Sequence, residues 1–109
     1  MLRHALFLAT TALLLTSLFA APAAKAQPLN TLLIQDEYPW GYNAWIIELA
    51  NHGIYPTEID STMLAGTDLT GYDFVVTVSV QDVAYNQELL AKMADFEAFV
   101  TGGGILLWS

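Results

Sequence analysis

Two carboxylates and three large aromatics stand together at Asp36-Glu37-Tyr38-Pro39-Trp40-Gly41-Tyr42. Paired acids can coordinate a hard metal ion, and aromatic faces stack on flat or apolar groups. The segment therefore fits a cation, a sugar or a peptide as ligand. It also fits a solvated turn whose Tyr and Trp pack over the start of a helix. Asp82, in Gln81-Asp82-Val83-Ala84-Tyr85, is the second candidate. Capping of the following helix accounts more simply for the polar side chains there. No catalytic residue, metal-ligand set or cofactor site is read from the chain. There is no cysteine, hence no thiolate site and no disulfide. His52 is expected at a helix C-terminus, on the face opposite the strand C-termini. Ser61, Ser79 and Ser109 lack the G-x-S-x-G setting of a nucleophile elbow. Gly102-Gly103-Gly104 precede an apolar run, whereas a dinucleotide-binding glycine loop follows a strand.

These residues need elements to hold them. Asn30 to Gln35 is predicted as a strand, because Thr31-Leu32-Leu33-Ile34 is the continuous apolar run of a strand covered on both faces. Asn43 is expected to cap a helix running to Asn51 or His52, with Trp45, Ile46, Leu49 and Ala50 inward and Gly53 as its stop. Tyr55 to Ile59 is a second strand, with Pro56 at its edge-like start. A connection over Leu64 to Tyr72 leads to the most β-branched strand, Asp73 to Val80. A helix capped near Asn86 follows. Its buried face is read as Leu89, Leu90, Met93, Phe96, Phe99 and Val100, with Lys92, Asp95 and Glu97 off the stripe. The glycines then open a last strand, Ile105 to Trp108.

Strands alternating with helices indicate an α/β fold with a parallel sheet and right-handed crossovers. The expectation is a flavodoxin-like, four-stranded sheet in the order 2-1-3-4. Ligands of such sheets bind beyond the strand C-termini, where Asp36 to Tyr42 and Gln81 to Tyr85 would lie. Ile105 to Trp108 would form an apolar edge, which natural sheets usually keep short, charged or covered. That edge predicts an incomplete domain, or self-association through Ile105, Leu106, Leu107 and Trp108.

The N-terminus carries a targeting signature. Arg3 and His4 precede an uncharged stretch, Ala5 to Ala20, and Ala24-Lys25-Ala26 is an A-x-A site. This is the layout of a secretory signal peptide, residues 1–26, cleaved after Ala26. The alternative is a membrane anchor through Ala5 to Ala20. The remaining residues 27–109 form one small domain, secreted or held in the periplasm or cell envelope. Lys92 is its only Lys or Arg, against eleven acids, so its net charge is −10. Such a surface repels phosphate backbones and anionic lipid headgroups, which excludes nucleic-acid binding and anionic membranes.

Leu69-Thr70-Gly71-Tyr72-Asp73-Phe74-Val75-Val76, with Phe96-Glu97-Ala98-Phe99-Val100-Thr101-Gly102-Gly103-Gly104-Ile105-Leu106, resembles the class I glutamine amidotransferase-like superfamily. It is most similar to the ThuA-like and secreted, catalytically undefined branches. The resemblance implies the scaffold over most of residues 31 to 108. The family's amidotransferases use a Cys on a later nucleophile elbow with a His and a Glu beyond it, and those positions have no counterpart here. ThuA-like members often carry a His just after the glycine-rich strand, where this chain has Trp108-Ser109. The expected function is a non-catalytic exported α/β domain, a binding or structural module. The alternative is the N-terminal part of an amidotransferase-like or hydrolase-type enzyme whose catalytic residues lie beyond Ser109.

Overall fold

The structure is a computed structural model that describes residues 29–109. The expected signal segment, residues 1–26, lies outside the described residues. Four strands, β1 (Thr31–Ile34), β2 (Thr57–Ile59), β3 (Phe74–Thr77) and β4 (Ile105–Trp108), form one sheet in the order β2-β1-β3-β4. All pairings are parallel. This is the flavodoxin-like α/β arrangement expected, with β4 at one edge. Helices α1 (Ala44–Asn51), α2 (Ser61–Leu64), α3 (Val83–Ala91) and α4 (Met93–Thr101) connect the strands. A single 3-10 turn, Leu69–Gly71, precedes β3.

β1 is buried at every position, as its apolar run requires. Successive side chains alternate between the faces. Leu32 and Ile34 join Val75 and Ile59 under α2, α3 and α4, with Leu64, Leu89, Phe96 and Phe99 as partners. Leu33 and Val76 face the other way and meet Leu49, Trp45 and Ile46 of α1. Three helices thus cover one face and a single helix the other. Leu106 packs onto the first face, while Ile105 and Leu107 alternate to the second and stand 55% and 36% exposed.

Several boundaries differ from expectation, each for a physical reason. β2 begins at Thr57 rather than Tyr55, because Pro56 has no N–H for the ladder. β3 ends at Thr77 rather than Val80. Val78 N donates to the Tyr85 hydroxyl instead of to a strand, and Val80 turns away at φ 56°. α2 was not anticipated. Asp60 caps it by accepting from Thr62 N and Met63 N. The expected single helix near Asn86 is two helices, α3 and α4. α3 starts earlier because the cap is Asp82, which accepts from Tyr85 N at 3.0 Å.

The buried stripe of that helical pair is also corrected. It runs Tyr85, Leu89, Lys92, Phe96, Phe99, a spacing of 4, 3, 4, 3. Leu90 and Val100 sit one residue to its side and are 67% and 50% exposed. Lys92, expected off the stripe, lies at its centre. Its ammonium donates to Thr67 O at 2.8 Å and Ala65 O at 3.4 Å, and pairs with Asp95 at 3.0 Å. Those partners make burial of the charge tolerable, and the junction of α3 and α4 falls at this residue. Gly53, at φ 73°, closes α1 as expected. Gly104 serves a different need: a Cβ there would collide with the Phe99 ring.

Candidate functional site

The loops beyond the strand C-termini are stitched together by side chains. Asp36 leaves β1 and turns to the start of α2. It accepts from Ser61 N at 2.7 Å and from Ser61 Oγ at 2.6 Å. Gln81, arriving from β3, binds the same loop from the other side. Its Oε1 accepts from Asp36 N at 2.7 Å and Glu37 N at 2.9 Å, and its Nε2 donates to Glu37 O at 2.9 Å. Three loops from different parts of the chain are joined by these two residues.

Beneath them lies Tyr85, fully buried. Its hydroxyl donates to Ile34 O at 2.7 Å and accepts from Val78 N at 2.9 Å. The phenol therefore fills the gap where β1 and β3 diverge. Burial pushes its pKa up to about 12, against the opposing hydrogen bond from Val78 N and with a contribution from the Asp36 charge. The group stays protonated at neutral pH and acts as a strut rather than a base.

A second cluster anchors α1. Gln35 Nε2 donates to Asn43 Oδ1 at 2.7 Å and to Glu58 Oε1 at 3.0 Å. Asn43 Nδ2 donates to Glu58 Oε2 at 3.2 Å, and Asn43 Oδ1 accepts from Ile46 N at 3.4 Å. The expected cap at Asn43 is therefore present and is itself held by Glu58. Ser109 Oγ donates to Thr77 O at 2.9 Å and accepts from Ser79 N at 3.1 Å, closing the end of β3 onto β4. At α1's far end, His52 Nε2 lies 3.3 Å from Glu48 Oε1, both exposed.

The sequence-predicted site is thus divided. Asp36 and Asp82 are engaged in holding elements, at α2 and α3. Glu37 and Tyr38 are exposed at the loop surface. Trp40 instead joins Tyr42, Trp45, Ile47 and Glu48 around a shallow groove of about 310 Å³ over α1. Trp45 and Glu48 are the site residues that sequence reasoning missed. Their signal was available: four aromatics crowd Tyr38 to Trp45. Trp45 Nε1 is buried with no hydrogen-bond partner among the described residues. Among the same residues there is no group of three or more His, Cys, Asp or Glu able to hold a metal ion. No helix among them is long and apolar enough to cross a membrane. A second groove, of about 550 Å³, opens between α4 and β4, with Phe96, Val100, Leu106 and Trp108 on its walls. Trp108 stands edge-on to Phe96 there, ring centres 5.8 Å apart.

No family model, curated protein or solved structure matches this chain.

Proposed function

We propose that this chain is a non-catalytic, exported α/β domain of the glutamine amidotransferase-like type. It serves as a binding or structural module of a secreted or envelope protein and docks through β4. One observation carries this reading. The polar groups at the strand C-termini, Asp36, Gln81, Asp82 and Tyr85, are spent on holding the loops and helices, while no strand among the described residues pairs with the outer edge of β4. β4 carries no charge and no proline, the usual protections of an edge strand. Its residues Ile105 and Trp108 are 55% and 51% exposed. The occupant in this reading is another β-strand, from a second copy or from a longer chain, which would extend the sheet by main-chain hydrogen bonds.

Light scattering and thermal melts of residues 27–109 test it. Self-association, abolished by paired Ile105→Lys and Leu107→Lys substitutions with unchanged circular dichroism, supports docking through β4. A strict monomer with a sharp, concentration-independent melt counts against it. Mass spectrometry of the exported form addresses the targeting reading: an N-terminus at Gln27 supports cleavage, and intact Met1 in membranes supports the anchor.

A second reading is favoured by Val80. A β-branched residue at φ 56° is strained, and strain clusters where loops are shaped for ligands. In that reading the domain positions substrate for catalytic residues outside 1–109. Turnover of amide or ester substrates by the exported protein would support it.

A further inference from the structure

The groove over α1 is lined by none of the stitching residues and by no residue of β4. It is lined by the rings of Trp40 and Tyr42, by Trp45, which also packs on the sheet, and by one carboxylate, Glu48. Trp40 and Tyr42 are each 56% exposed. Rings left in water at this density lose hydrophobic stabilisation that packing would supply. We propose that this groove binds a quaternary ammonium group, held against the rings by cation–π attraction and balanced by Glu48. The proposal rests on the reading of the domain as a binding module and names its ligand class.

Three considerations select this chemistry over its competitors. First, a quaternary ammonium asks for no hydrogen bonds, and the groove offers few. A sugar would bring several hydroxyls to a lining whose polar groups are Glu48 and the edges of the aromatics. Second, charge is complementary. The one Lys of the described residues, Lys92, is buried against Ala65 O and Thr67 O and cannot reach the groove as a rival cation. The surplus of acids draws cations toward the surface generally. His52 Nε2, 3.3 Å from Glu48 Oε1, competes for the carboxylate. Third, the opposing effect is smaller. The N-terminus of α1 amounts to about half a positive charge and fades within its first turn. Glu48 carries a full negative charge and lies beyond that turn.

Tryptophan fluorescence of the exported protein, titrated with tetramethylammonium and with choline, tests the proposal. Both are expected to give saturable changes. The neutral carbon isostere of choline, with tert-butyl in place of trimethylammonium, is expected to bind about tenfold more weakly, as cation–π energies imply. Trp40→Ala should weaken choline binding about fivefold. Glu48→Gln should weaken it as well, while Tyr55→Ala, at an exposed tyrosine outside the groove, should leave it unchanged. Phosphatidylcholine vesicles form a further arm. Co-sedimentation would assign a lipid headgroup, and binding of free choline alone would assign a soluble ligand. Equal binding of the isostere, saturation by glucose but not choline, or equal loss in Tyr55→Ala would overturn it. β4 association in the same samples separates the outcomes: failure of the titration with association intact removes the ligand and leaves the module.

Discussion

Tyr85→Phe isolates one oxygen atom. The ring stays in the core and only the hydroxyl is lost. Val78 N then has no acceptor, and Ile34 O loses a donor, both in fully or almost fully buried residues. A buried donor left unsatisfied costs about 1–3 kcal/mol, and a lost hydrogen bond about 1 kcal/mol. The expected loss is therefore about 2–4 kcal/mol, a large part of the roughly 5–15 kcal/mol that holds a native domain. Urea denaturation of both proteins at neutral pH, followed by circular dichroism, measures it. The alkaline limb gives an independent readout. The folded pKa of Tyr85 is raised from the ordinary 10.0 to about 12. The unfolded chain therefore releases this proton first, and stability falls as pH rises from about 10 through about 12. Tyr85→Phe should lack that part of the decline. A destabilisation under about 0.5 kcal/mol, well below the cost of one orphaned donor, with an unchanged alkaline limb, would refute the strut.

Lys92→Ala should cost about 2 kcal/mol, because it removes both a packed aliphatic stem and charged hydrogen bonds to Thr67 O and Ala65 O; calorimetry reads this as a lowered Tm. Gln81→Ala should leave the sheet intact but loosen the loop it stitches. Faster hydrogen exchange at the Asp36 and Glu37 amides, without change at β1, is the expected signature. Asp60 and Asp68 have pKa values below the ordinary 3.8, Asp60 chiefly through the Thr62 hydroxyl and Asp68 chiefly through Thr70 N. Their contribution is present above pH 3.8 and is lost as pH falls through the lowered values. A shallower acid limb in the Asp60→Asn, Asp68→Asn double variant, followed by circular dichroism, would confirm the sign.

Much of the scaffold was legible in residue order. The apolar run Thr31–Ile34 meant a strand covered on both faces, and the alternation of strands with helices meant parallel pairing in the order 2-1-3-4. Asn43 and Gly53 marked the ends of α1, because caps are local chemistry between residues a few positions apart. The candidate site was legible only as a region. Asp36 and Trp40 stand in one loop, yet Asp36 turns to Ser61 and Trp40 joins Glu48. Composition could not show that Lys92, in a run of otherwise exposed charges, faces two carbonyls a whole crossover away. Nor could it show that Gln81 and Tyr85 close the gap between β1 and β3. Parallel strands are joined by long crossovers, so the loops at their C-terminal ends come from distant parts of the chain. Local pattern sets which elements form. Which polar side chain meets which backbone group is decided only when the sheet brings those loops side by side.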